Sequence, residues 1–191
     1  IEAGFAKAKV IVEDTFVTAG TSHHSMEPRS ALSYWQNGKC YVHGSSQSQS
    51  YVIPGLARYL DVAPENIVYI AEFCGGGFGS KGNAPETGAI AAHLAKKISR
   101  PVMLRLSRQE EYFIGSARGT IQGRIRLGFR ADGKVLAADL MVVQDGGGNG
   151  GFQDAADAAQ AVSIIYQPMA MRFRGIPVMT NTTPRGPQRG P

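Results

Sequence analysis

The sequence predicts an α+β fold: long antiparallel strands around one strand–glycine loop–helix–strand unit. Three observations carry that prediction. Residues 120–129 and 134–144 alternate apolar and polar side chains on either side of the turn Ala131–Asp132–Gly133, which reads as a long hairpin with one buried face. Residues 66–73, a buried apolar run, lead into Cys74–Gly82, CGGGFGSKG. Residues 84–99 then carry Ala89, Ala92, Ala95 and Ile98 at a spacing of three, with Lys96 and Lys97 in the last turn of the helix this implies. An apolar strand at 101–106 completes a β-α-β unit, which brings parallel pairing into part of a sheet.

The other elements follow in order. Residues 7–17 (KAKVIVEDTFV) alternate as a half-buried strand does, whereas 21–29 (TSHHSMEPR) have no periodicity. Strands at 31–35 and 39–44 flank Gln36–Asn37–Gly38, and Asn-Gly is a strong hairpin signal. Ser45–Ser46–Gln47 forms a polar strand end whose hydroxyl and amide groups suit either a polar ligand or a cap. Residues 51–59 read as a helix with Pro54 and Gly55 near its first turn. A second glycine cluster at 146–151 reads as a flexible or close-approach loop, 155–165 as a helix, and 172–178 as a last short extended piece.

At 191 residues, with 43% hydrophobic and 18% charged side chains, the composition is that of an ordinary globular chain with a real core. The net charge of +5 is partly local, since Arg172, Arg174, Arg185 and Arg189 crowd one end. No known nucleic-acid-binding motif accompanies them, which argues against nucleic acid as a partner. Cys40 and Cys74 fit neither a metal finger nor a disulfide framework and point to a reducing, cytoplasmic setting, with a periplasmic complex as the alternative. No apolar run reaches the ~20 residues of a membrane span. Ile1 in place of an initiator methionine, and the unfinished stretch TNTTPRGPQRGP, lead us to expect a piece of a longer polypeptide.

Two stretches invite a functional reading. His23 and His24 are adjacent and lack a third ligand at a familiar spacing, so the histidines and Glu27 are expected to fix a loop through hydrogen bonds rather than to hold a metal. Cys74–Gly82 is different, because five glycines and one phenylalanine in nine residues exceed what a turn needs. Missing Cβ atoms at Gly75, Gly76, Gly77 and Gly79 let backbone N–H groups approach a ligand oxygen, and a following helix dipole favours negative charge. The glycine spacing is wrong for a P-loop, and Gly82 stands where that motif needs Ser or Thr. Nor is there a GxGxxG fingerprint. An anion- or nucleotide-binding domain without catalysis, or a purely structural turn, fits these residues as well as an enzyme does.

Four stretches, taken in order, resemble one family: the molybdenum-binding large subunit of the xanthine dehydrogenase and aldehyde oxidoreductase group. SHHSMEP at 22–28 is similar to its His-x-x-Met-Glu-Pro segment, and SSQ at 45–47 to its Ser-Thr-Gln strand end. CGGGFGSK at 74–81 resembles its GGGFG-G-K loop, and TNTTPRGPQRG at 180–190 its TN…FRG segment, with Arg189 on the family arginine. The resemblance spans nearly the whole chain but only the front portion of the family's molybdopterin-binding region.

The resemblance implies a molybdenum hydroxylase. In that family molybdenum held by a pterin dithiolene oxidises an aldehyde or N-heteroaromatic carbon, a glutamate serves as base and water supplies the oxygen. Electrons leave through two [2Fe–2S] clusters to FAD or another acceptor, carried on partner domains or subunits. The pterin expected is the cytosine dinucleotide form. Gly76, Gly77, Phe78 and Gly79 would line the cofactor, Arg189 would lie near it, and Gln47 is a weaker candidate. Phe78 and Gly82 would border the substrate. The family's catalytic glutamate lies far downstream, and Glu27, Glu72 and Glu86 do not match it, so no catalytic residue and no metal ligand is expected in this chain. The chain alone is therefore expected to be inactive, completed by the remainder of the subunit. Departures bear on substrate. Thr21 replaces a frequent glutamine, Gly82 and Asp157 stand where purine oxidisers carry a glutamate and an arginine, and Pro191 stands where they place a stacking phenylalanine. Xanthine is disfavoured.

Overall fold

The computed structural model describes residues 1–149 and 154–189. The chain forms two compact units, one from Ile1–Thr21 and Ala117–Gly186, the other from Ser22–Ser116 and the segment that begins at Pro187. Along the chain run α1 (Glu2–Ala6), β1 (Val10–Thr18), β2 (Thr21–Ser22), β3 (Ser30–Gln36), β4 (Lys39–Gly44) and α2 (Gln49–Leu60). Then come β5 (Ile67–Ile70), α3 (Glu86–Ile98), β6 (Val102–Arg105), α4 (Arg108–Ile114) and β7 (Ala117–Arg118). β8 (Ile121–Phe129), β9 (Val135–Asp145), α5 (Asp154–Tyr166) and β10 (Ala170–Val178) complete the order.

The first unit is a four-stranded sheet in the order β1-β8-β9-β10. The predicted long hairpin is β8–β9, closed by a turn in which Gly133 takes a φ of +84°. Alternation sends Leu140 and Val142 to one face, where Ala155, Ala158, Ala159 and Val162 of α5 cover them. The opposite face carries Arg124, Arg126, Asp139 and Arg172, with Arg172 paired to Asp139 and to Glu2. Two expectations need correction here. The piece at 172–178 is a nine-residue strand, β10, parallel to β9. β1 is not half-buried: all nine of its residues are exposed, because it is an edge strand paired only with β8.

At the end of β9 the Asp145 carboxylate gathers the segment that follows β10. It accepts from the Thr180 and Thr182 hydroxyls, from the Gly147 N–H and from the Arg185 guanidinium. Asn149 adds a reciprocal pair of bonds to the Arg185 backbone. Burial works against charge on Asp145, but these donors outweigh it and hold the carboxyl well below the usual range. Gly147 has a φ of +63° and sits against the Thr183 carbonyl, a close approach of the kind expected for the second glycine cluster. Gly150 and Gly151 of that cluster lie outside the described residues.

The second unit is a sheet in the order β5-β4-β3-β6 with α2 and α3 on one face. The hairpin β3–β4 turns at Asn37 and Gly38, whose φ values of +50° and +76° are what Asn-Gly supplies in such a loop. Cys40, Val42, Ile67 and Tyr69 meet Val52 and Leu56 of α2 and Ala89 and Ala92 of α3 in a single core. Burial pushes the Cys40 thiol up to about 11. Parallel pairing is present, but between β4 and β5, joined by α2; β5 and β6 occupy opposite edges of the sheet. β5 stops at Ile70, and Phe73, expected in the strand, is 81% exposed. Pro54 lies inside α2 rather than in its first turn, while Gly55 makes room for Ala84. α4 was not anticipated, although Ser107-x-x-Glu110 is a complete capping box.

Asp145→Ala is expected to lower the stability of the first unit by about 3 kcal/mol, since it leaves the mostly buried Arg185 guanidinium without its carboxylate. A thermal unfolding curve of the variant against the wild type checks this.

Candidate functional site

The site lies in the second unit, on the loop between β5 and α3. Both ends of the loop are held by one carboxylate. Glu27 Oε2 accepts from the Gly75 N–H at 2.6 Å and from Lys81 Nζ at 2.9 Å, and the Glu27 carbonyl accepts from the same ammonium at 2.9 Å. Lys81 is 3% exposed, so its charge depends on these partners. Burial opposes ionisation of Glu27, but the Lys81 and Gly75 hydrogen bonds and the Lys81 charge prevail and hold the carboxyl below its ordinary 4.5. Burial, with the charges of Cys74 and Glu27 added, pushes the neighbouring Tyr69 phenol up to about 12.

Gln47 holds the middle of the loop. Its Oε1 accepts from the N–H groups of Gly79, at 2.8 Å, and Lys81, at 3.2 Å, and its own N–H donates to the Lys81 carbonyl. Arg29 holds the end. Its guanidinium donates to Ser80 and to Glu111 Oε1 at 2.7 Å, and its backbone N–H reaches Glu111 Oε2 at 2.7 Å. Arg29 and Glu111 are both buried, and the capping box of α4 is what delivers Glu111. Cys74, at the head of the loop, is an exposed free thiol.

These contacts change the account of the glycines. A side chain at Gly75 would run into Glu27, one at Gly77 into Gln47 and one at Gly79 into the Pro187 carbonyl. Three of the four positions are therefore glycine because the protein packs there, not to admit a ligand. Gly76 and Gly79 also take φ values of +98° and +108°, which a side chain would strain. Helix α3 begins only at Glu86, so Asn83–Pro85 separate it from the loop.

What remains for a ligand is the crest of the loop. Among the described residues, the backbone N–H groups of Gly76, Gly77 and Phe78 have no protein acceptor. Three successive free donors on a turn form a concavity suited to an anionic oxygen. Phe78 is 43% exposed at that crest, with Arg189 stacked on it at 5.5 Å from guanidinium to ring centre. The Arg189 N–H donates to the Phe78 carbonyl at 2.9 Å. At Gly82, which is half-buried, a side chain would meet the Gly79 carbonyl oxygen at an ordinary contact distance. Thus Gly76, Gly77, Phe78, Gly79, Gln47 and Arg189 come together around one loop, with Gln47 as a loop support through its oxygen and its amide nitrogen unbonded among the described residues. Asp157 lies in α5 of the first unit, and Pro191 is outside the described residues. The described residues contain no group of three His, Cys, Asp or Glu side chains placed to hold a metal, and no described helix is long and apolar enough to cross a membrane.

Comparison with known proteins adds a family. A family model described as the molybdopterin cofactor-binding domain matches residues 1–191. The chain is 30% identical over 141 residues to a membrane-bound aldehyde dehydrogenase [pyrroloquinoline-quinone] of Gluconacetobacter polyoxogenes, covering 73% of this chain and 18% of the relative. It is 29% identical over 187 residues to the aldehyde oxidoreductase molybdenum-binding subunit PaoC of Escherichia coli K12, covering 97% of this chain and 25% of the relative. The crystal structure of quinoline 2-oxidoreductase from Pseudomonas putida 86 superposes with a TM-score of 0.88 at 25% identity, covering 98% of this chain and 25% of that one. The chain thus spans a quarter or less of the length of these proteins.

Glu27→Gln removes the carboxylate that neutralises Lys81 and should cost about 2–3 kcal/mol. Because the folded Glu27 carboxyl sits below 4.5, the wild type keeps this contribution above pH 4.5 and loses it as pH falls through the lower, folded value. Unfolding curves of the two proteins across that range should therefore converge on acidification.

Proposed function

The chain belongs to the molybdopterin cofactor-binding domain family, and from that premise we propose that it forms the front part of the cofactor site of a molybdenum hydroxylase. The observation that carries the proposal is the set of three successive unclaimed N–H groups at Gly76, Gly77 and Phe78, on a loop where those of Gly75, Gly79, Ser80 and Lys81 are already paired. When bound, molybdenum in its pterin dithiolene supplies a two-electron oxidation of an aldehyde or N-heteroaromatic carbon, with oxygen from water and electrons leaving through [2Fe–2S] clusters toward FAD. The metal arrives in its own organic ligand, so a loop of free donors and no cluster of metal-binding side chains is the chemistry this site needs.

The residues divide the work. The N–H groups of Gly76, Gly77 and Phe78 donate to anionic oxygens of the cofactor and fix its orientation. The Phe78 ring walls the substrate side, and Gly82 borders it without a side chain. Arg189 adds a fixed positive charge beside the ring. Glu27 is not available as a base, because its carboxylate is committed to Lys81 and Gly75. The base comes from the remainder of the subunit, and the iron–sulfur and FAD carriers from partner domains or subunits. We take the cytosine dinucleotide form as the pterin and a cytoplasmic complex as the setting. The absence of an acidic side chain at Gly82 leaves a purine without one of its polar anchors. An anion- or nucleotide-binding domain without catalysis is the competing reading, since it draws on the same donors.

Elemental analysis of the full-length protein in its native complex separates the two. Stoichiometric molybdenum with excess iron is expected. Tight nucleotide binding with neither metal would overturn the hydroxylase reading.

A further inference from the structure

We propose that His23 is a positioning residue that latches residues 187–189 onto the glycine loop and so sets where Arg189 stands over Phe78. Its bearing on the cofactor rests on the reading above. His23 is 6% exposed, and its Nε2 lies 2.6 Å from the Pro187 carbonyl oxygen. A carbonyl only accepts, so Nε2 carries the proton and the imidazole is fixed as one tautomer. That carbonyl in turn fills the space where a side chain at Gly79 would begin. The next two residues are held as well: Gln188 Nε2 donates to the Ser22 carbonyl at 3.0 Å, and the Arg189 N–H donates to the Phe78 carbonyl at 2.9 Å.

His24 and Arg189 both adopt left-handed φ values, +50° and +59°, a conformation uncommon for residues with side chains. His24 is fixed on its outer side by an edge-on ring contact with Tyr112 at 5.4 Å. On its inner side stands His23. Among the described residues the His23 bond holds the Pro187 carbonyl itself, the atom packed most closely against Gly79, so loss of that donor releases the turn that presents Arg189.

Amide hydrogen exchange on the full-length protein reads the latch directly, at the Arg189 N–H. His23→Met keeps volume and removes the donor, and His23→Gln keeps a donor at the same reach. In His23→Met the Arg189 amide should exchange at least about tenfold faster than in wild type, whereas in His23→Gln it should stay within about threefold. The Gly75 amide, held by Glu27, should not change in either. Wild-type exchange at Arg189 in His23→Met, or equal acceleration in both variants, would overturn the latch. If His23→Met does not fold, Gly79→Ala keeps His23 but drives a methyl into the Pro187 carbonyl, and must free the same amide; unchanged exchange there sinks the proposal. Molybdenum retained after gel filtration should follow the same order, with wild type and His23→Gln above His23→Met. A wild type without molybdenum would fail the cofactor reading alone, since the exchange measurement does not depend on it.

Discussion

Everything at the glycine loop depends on burying one ammonium. Lys81 is almost wholly removed from water, which is tolerable only with a carboxylate and a carbonyl at hydrogen-bonding distance. Glu27 supplies both, and the oxygen that neutralises Lys81 also takes the Gly75 N–H. The two ends of the loop are therefore fastened at a single point. Gln47 then takes the N–H groups of Gly79 and Lys81, and Arg29 secures Ser80 from the other side. With these bonds made, the N–H groups of Gly76, Gly77 and Phe78 form a run of three without a protein acceptor among the described residues.

This division of labour explains what was legible in the sequence. The loop, the Asn-Gly hairpin and the β8–β9 hairpin announce themselves through local chemistry: glycines where φ turns positive, alternation where one face is buried. The resemblance to the family placed Phe78, Gln47 and Arg189 near one another, which no local pattern could do across more than a hundred residues. His23 and Glu27 were legible as hydrogen-bonding residues of a loop, though not what they hold, whereas Arg29 and Glu111 were not singled out because each acts through a partner distant in sequence. Only Glu111 had a local clue, the capping box that starts α4. Pro54 misled for a related reason. A proline costs an interior helix dearly in isolation, but Val52 and Leu56 of the same helix are buried in the core, and tertiary packing overrides the local preference.

The glycines carry a second lesson. Their number suggested a surface cleared for a ligand, yet at 75, 77 and 79 the cleared space belongs to Glu27, Gln47 and Pro187. Of these three only Gly77 keeps an N–H without a protein acceptor among the described residues, since Glu27 and Gln47 take those of Gly75 and Gly79.

The open side of β1 has a practical meaning. Its nine residues, among them Val10, Ile11, Val12, Phe16 and Val17, are exposed, and the strand has a hydrogen-bonded neighbour on one side only. A long apolar edge of this kind is a template onto which another chain can add itself. Produced as an isolated 191-residue polypeptide, the protein would therefore tend to self-associate through β1, and charged or proline substitutions confined to that strand offer a route to a tractable preparation.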